Sequence, residues 1–308
     1  TFYTSTYSVK EMGVYAYVHD PRFHAYAVSV SDGIHTCVCE PTVFPWATID
    51  GKEWVSHNRD FDQAVYFQLA YNPAFPAPTG EARPSEWHCS AALCAFLQLP
   101  RDLAGAAQAL YGITIDKAER QHAKGRECAG DLFGPSAAAE AYVAKDAETC
   151  LRIWQDLQAQ WPAHERRLFD LTSAMGAHGL AVDWPAVSAQ AEELNTTVVA
   201  LAKDLPWKPA LSVQKFEEAC SQIGTRPPPT TTAKDPLFQA WIKTNQGSQA
   251  ATWVRHMQRI RSANRTAKVL EAMLARREPN GRMAYELKYF GASPGGWAGG
   301  GGLNLQNF

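Results

Sequence analysis

Two short groups of residues carry the chemistry this sequence makes available: His57-Asn58-Arg59-Asp60-Phe61-Asp62 and Tyr142-Val143-Ala144-Lys145-Asp146. Asp62 falls early in a segment that reads as a helix following a strand, a placement that sets a carboxylate at the open end of a sheet. Tyr142 and Asp146 are four residues apart, so on a helix both project from one face. Carboxylates converging from separate elements are what two divalent cations about 4 Å apart require for phosphodiester cleavage. One ion activates water and the other steadies the leaving oxygen. Hard cations take oxygen ligands, and such a site asks for about four acids. A tyrosine hydroxyl one turn from a metal-binding carboxylate can orient the attacking water. Taken singly, a Phe-Asp or a Tyr-x3-Asp pair arises often by chance; together, in this order and separation, they are far more specific.

The elements that must hold these groups can be read from patterning. Gly13–Val18, Phe23–Val30 and Ile34–Cys39 alternate as strands do, with Asp32-Gly33 as a hairpin turn. Trp54–His57 predicts another short strand, after which Asn58 suits a helix N-cap with Phe61, Val65 and Leu69 on one face. Helices are expected over Ala91–Leu99 and Leu103–Tyr111, and a long one from Pro135 to about Trp161. Strands followed by helices fit one α/β domain with helices on a mixed sheet. From Pro162 the pattern is mostly helical: His164–Met175, broken at Gly176 and Gly179, then Pro185–Leu205, a Ser212-capped helix to Ile223, and a long basic helix over about Ser248–Arg277. A turn at Pro279-Asn280-Gly281 leads into a strand from Arg282 to Phe290.

Composition places the chain among globular proteins, with 308 residues, 46% hydrophobic and 19% charged. No long uninterrupted apolar run or basic leader stands out, so a cytoplasmic protein is expected. The seven cysteines are irregularly spaced and contain no CxxC pair, which favours free, buried thiols over a structural zinc site. Cys37 and Cys39 fall in an apparent strand, where their side chains are expected on opposite faces. The net charge of −2 conceals nine Lys or Arg against three Glu over 251–290, an excess suited to a phosphate backbone.

The His57–Asp62 and Tyr142–Asp146 groups resemble the second and third motifs of the DnaQ-like 3′→5′ exonuclease domain of family A DNA polymerases. Gly13-Val14-Tyr15 to Asp20-Pro21 is similar to the stretch after the first motif in phage-type members. Further on, Glu165–Leu168 through Gly179–Asp183, Leu211–Gln214 and Arg261–Lys268 resemble the start of the polymerase region and its thumb, and Leu303-Asn304-Leu305-Gln306-Asn307 matches an LNLQN motif before the palm. The resemblance implies an α/β, RNase H-like exonuclease domain over 1–161, then a mostly helical thumb and first part of the palm over 162–308. It implies Asp62, Tyr142 and Asp146 as catalytic residues, with Asp62 and Asp146 ligating Mg or Mn. It implies DNA contacts from Asn58, Phe61, Arg255, Arg259, Arg261, Arg265, Lys268, Gln306 and Asn307.

Two departures matter. The first motif reads D-x-E in the family, but Tyr3 and Ser5 stand at those positions, and Asp20 and Asp32 lie too far along to substitute. The two-metal site is therefore expected to be incomplete and proofreading impaired. Gly296 replaces an arginine that would clamp a phosphate bidentately. The palm carboxylates that transfer nucleotides are not among these residues, so polymerisation is expected to need palm and fingers, on a partner chain or the remainder of the polymerase. An exposed apolar patch around Tyr285, Tyr289, Phe290 and Trp297 would mark where they dock. Two alternatives stand beside this reading: an active stand-alone exonuclease recruiting Asp60, Asp116 or Glu148, and a non-catalytic nucleic-acid-binding module.

Overall fold

The computed structural model describes residues 8–71, 82–115, 137–293 and 295–300. Tyr3, Ser5, Asp116, Cys128, Gln306 and Asn307 lie outside them. The chain forms two compact units, residues 1–181 with 276–308, and residues 182–275. These units part at other positions than the 161/162 boundary read from the sequence. Among the described residues no helix is long and apolar enough to cross a membrane.

In the first unit, α1 (Val9–His19) occupies a stretch expected as a strand. Val14, Tyr17 and Val18 obey the i, i+3, i+4 spacing of a helix face as well as they suggest alternation, and burying Tyr17 and Val18 against Phe23 selects the helix. Gly13 interrupts α1 with φ 80° and ψ 163°, and a Cβ there would come within 3.0 Å of Arg276 Nε. The hairpin β1 (Val28–Ser31) and β2 (Thr36–Cys39) is antiparallel, with Val28 opposite Cys39 and Ser31 opposite Thr36. Its turn is held by the Asp32 carboxylate, which accepts from the backbone N–H of Ile34 at 2.8 Å and His35 at 2.7 Å. Of the expected Phe23–Val30 strand only Val28, Ser29 and Val30 lie in the ladder, which runs on to Ser31.

The unit's α/β element is β3 (Glu53–Ser56), α2 (Arg59–Tyr71) and β4 (Glu86–Cys89), with the two strands parallel and in register from Glu53–Glu86 to Ser56–Cys89. The strands of the described residues form four two-stranded ladders, not one mixed sheet. α3 (Ser90–Phe96), α4 (Leu103–Tyr111) and α5 (Ala137–Leu157) follow, and α5 packs on β1, β2 and β3.

α6 (Ala163–His178) runs straight through Gly176, which does not break it, and stops at Gly179 with φ 73°. Gly176 serves instead for close approach. Its carbonyl accepts from Tyr285 N–H at 3.1 Å, and a Cβ there would lie 2.5 Å from the Tyr285 carbonyl oxygen. β5 (Leu180–Ala181) pairs with β6 (Arg282–Met283), and the Arg282 guanidinium donates to the carbonyls of His178 and Gly179 at the helix end. Gly176→Ala should therefore destabilise the protein by about 2 kcal/mol, since backbone on both sides must shift. An unchanged melting temperature would show that the junction yields freely.

The expected strand Arg282–Phe290 is split, with β7 (Leu287–Ala292) pairing with β8 (Gly296–Gly299). The expected exposed apolar patch does not form. Tyr289 is buried against Trp161 and Phe169, its hydroxyl donating to Glu165 at 2.6 Å, and Phe290 meets the Phe96 ring edge-on. Trp297 is 39% exposed and donates its indole N–H to Thr172. A β-hairpin laid on helices buries alternate aromatics, and Tyr289 points inward.

The second unit is helical: α7 (Trp184–Lys203), α8 (Val213–Gln222), α9 (Pro236–Thr244) and α10 (Gln249–Leu274). Side chains of Asp183, Ser212, Asp235 and Ser248 cap all four starts by accepting first-turn N–H groups. α7 and α10 pack along each other, and Phe216, Phe238, Trp253, Val254, Met257 and Ile260 fill the core.

Candidate nucleic-acid interface

Asp62 sits in the first turn of α2, just beyond the end of β3. The residue is half-buried, but its carboxyl lies against protein, accepting from the Ser56 hydroxyl and the Asn58 backbone N–H. The Ser56 oxygen in turn accepts from the Trp87 indole N–H at 3.0 Å. Burial outweighs these bonds and pushes the Asp62 carboxyl up to about 6. The capping geometry explains why this aspartate stands here: a side-chain oxygen reaching back to an N-terminal N–H stabilises a helix start.

The folded state holds the Asp62 proton more tightly than an unfolded carboxyl does, so this group favours the fold most at low pH. That contribution is lost as pH rises from about 4 through about 6. Asp62→Asn should remove this slope and stabilise the protein at pH 8 on the order of 2 kcal/mol. Denaturant melts of both proteins at pH 4.5 and pH 8 test this, and equal differences at the two pH values would refute it.

Beside Asp62 lies a buried chain of polar groups. His57 Nε2 is 2.8 Å from the Arg101 carbonyl, so it carries the proton, and Nδ1 accepts from the Ser90 hydroxyl at 2.9 Å. The Ser90 oxygen lies 3.2 Å from Cys150 Sγ and is left to accept the thiol proton. Burial pushes the His57 pKa down and the Cys150 thiol up, the nearby Asp62 charge adding to the latter. Every proton in the chain is thereby placed on a neutral group.

Tyr142 and Asp146 are half-buried on α5, two turns and one turn before Cys150, so the predicted pair shares the side of the helix that leads to this cluster. The described residues contain no group of three or more His, Cys, Asp or Glu side chains placed to hold a metal ion. The alternative acids are otherwise engaged: Asp60 accepts from Arg59 and from Ser173 at 2.8 Å, and Glu148 accepts from Thr36 at 3.0 Å. Phe61, expected on DNA, packs with Val65 on Tyr17, ring centroids 6.1 Å apart, because helical spacing turns it inward. Asn58 is exposed.

Sequence reasoning passed over Arg59, which is buried and holds α2, β4 and α6 together. Its guanidinium donates to the Trp87 carbonyl at 3.2 Å, to Asp60 and to Asp170, and lies 4.4 Å from the Phe169 ring centroid. A charged residue next to an acid in a motif reads as surface; only the tertiary contacts reveal the hub.

In the second unit, α10 sorts its charge. Arg255, Arg259, Arg265 and Lys268 are exposed, and none has an ion pair or side-chain hydrogen bond among the described residues. The opposite side buries Trp253, Met257, Ile260, Ala263 and Ala267. The helix's acid, Glu271, accepts from Asn195 of α7 at 3.0 Å. The four cations span fourteen residues, about 20 Å of helix. Arg261 differs: half-buried, it donates to the Thr231 hydroxyl at 2.8 Å, while Gln258 donates to the Thr231 carbonyl at 2.9 Å. The two side chains pin the 226–232 loop to the helix. Cations so exposed can neutralise backbone phosphates without reading bases.

No protein-family model matches the chain, and no curated protein matches it. Among solved structures, the POL domain of Pol1 from M. smegmatis, in complex with DNA primer-template and dNTP, matches at a TM-score of 0.52 and 14% identity. The match covers 92% of this chain and 49% of that one, so this chain spans about half the length of that structure. The likeness shows the fold: a helix-rich α/β arrangement resembling a DNA polymerase domain.

Proposed function

We propose that this chain is the exonuclease-like and thumb portion of a family A DNA polymerase, and that it grips primer-template DNA through the exposed cations of α10. The observation that carries the reading is the set of exposed cations Arg255, Arg259, Arg265 and Lys268, unpaired among the described residues, on a helix that also supplies core. The polymerase-like fold supports it. Asn58, Gln306 and Asn307 are assigned as further DNA contacts on the resemblance of their motifs, and Phe61 is not, because it packs inward. Nucleotidyl transfer is assigned to palm and finger elements that are not among these residues.

Asp62, Tyr142 and Asp146 are assigned to a retained exonuclease-type site for Mg or Mn that is incomplete. The described donors do not fit a two-metal centre. Asp62 is bound to two hydrogen-bond donors, and no third acid joins it and Asp146 among the described residues.

The test is fluorescence anisotropy of a labelled primer-template, together with degradation of a 3′-labelled single strand in Mg²⁺ or Mn²⁺. Salt-sensitive binding without trimming is the expected result. Metal-dependent trimming abolished by Asp146→Ala would replace this reading with an active exonuclease, and absence of DNA binding would remove it.

A further inference from the structure

We propose that Cys37 and Cys39 form a two-thiolate site for a thiophilic d10 ion of the zinc–cadmium type. Alternate residues of a strand share a face, so the expectation that these side chains diverge was mistaken: their sulfurs lie 4.0 Å apart on β2. Two sulfurs bound at about 2.3 Å to one tetrahedral ion are separated by about 3.8 Å. The pair is thus within a few tenths of an ångström of a chelating edge. A disulfide, with sulfurs at about 2.05 Å, would demand a far larger movement from a strand held by its ladder to β1.

The surroundings select for softness. Val30 and Val28 are the cross-strand partners of Cys37 and Cys39. Cys39 packs against the cluster of Phe44, Trp46 and Tyr66, whereas Cys37 is exposed. Thr36 turns the other way, toward Glu148 of α5. The floor of the site is apolar and Cys37 is open to water, so an ion can reach the sulfurs directly. Thiolates without hard oxygen ligands favour zinc-like or softer ions over magnesium.

Binding of the ion displaces both thiol protons. Two S–H bonds break, two metal–sulfur bonds form, two protons pass to the buffer, and no electron is transferred. Two coordination positions stay open to water or an added ligand, which separates this site from a closed four-ligand structural zinc site.

The experiment titrates the reduced full-length chain with Cd²⁺ alone under argon. It follows sulfur-to-cadmium charge-transfer absorption, proton release and the tryptophan fluorescence to which Trp46 contributes. One ion per chain and two protons per ion are expected. Cys37→Ser and Cys39→Ser should each weaken binding by at least ~100-fold, because each removes one arm of the chelate. Cys37 is exposed, so its variant keeps the test valid even if the Cys39 variant unfolds. Cys128→Ser should bind as the parent does, and Mg²⁺ in excess should not compete. Undiminished binding in the Cys37 variant, loss in the Cys128 variant, competition by Mg²⁺, or no stoichiometric uptake by the parent would each overturn the assignment.

Discussion

Replacing Arg255, Arg259, Arg265 and Lys268 together by glutamine is expected to weaken primer-template binding by about 100-fold near 0.1 M salt and to flatten its salt dependence. Each cation that neutralises a phosphate releases counterions and contributes about 0.9 to the slope of log affinity against log salt, so losing four lowers that slope by up to about 3.6. The four side chains are exposed and unpaired among the described residues, so the fold should be spared, and circular dichroism melts of the variant should overlay those of the parent. Arg261→Gln separates grip from scaffolding. Its guanidinium holds Thr231, and its loss should loosen the 226–232 loop before it alters affinity. Should the quadruple variant bind DNA with an unchanged salt slope, α10 is not the DNA-facing element.

Arg59→Leu is expected to destabilise the first unit by about 3 kcal/mol, the low end of the range for breaking a buried ion pair. The effect falls at that end because Asp60 and Asp170, the carboxylates left behind, keep 50% and 57% of their side chains in water. The Trp87 carbonyl also loses a donor, and Phe169 loses the cation over its ring. Arg59→Lys should not rescue it, since one ammonium cannot serve the carbonyl, two carboxylates and the ring at once. Arg59→Leu combined with Asp170→Asn should recover part of the loss. A lysine variant as stable as the parent would reduce Arg59 to a generic surface charge.

Part of the candidate site is legible in the sequence. Asp62 at a helix start, Tyr142 and Asp146 on one helix face, and the basic segment over 251–290 all follow from spacing and charge. The state of those groups does not. The raised pKa of Asp62 depends on how deeply its carboxyl is packed, and the commitment of Asp60 to Arg59 and Ser173 depends on α6, which begins a hundred residues along the chain. Phe61 shows the same limit, because a motif position expected to meet DNA is taken by Tyr17 of α1.

What the sequence by itself determined are the signals that act within a few residues. The caps Asp183, Ser212 and Ser248, the stop at Gly179, the Asp32 turn and the reach of the long helices are set by local hydrogen bonds and backbone freedom. The unpredicted helix α9 belongs with them, since Asp235-Pro236 is a start signal that stood in plain view. What only the tertiary structure decided are the choices that local energies leave nearly balanced. Val9–His19 could alternate or coil, and burial of Tyr17 and Val18 chose the helix. Tyr289 could have lined an open patch, and Trp161, Phe169 and Glu165 drew it into the core. Among the cations of α10, contact with Thr231 held Arg261 inward, and burial of Trp253, Met257 and Ile260 turned Arg255, Arg259, Arg265 and Lys268 to the water. In each case the deciding term is a tertiary contact, apolar burial or a hydrogen bond, that no pattern within the element itself carries.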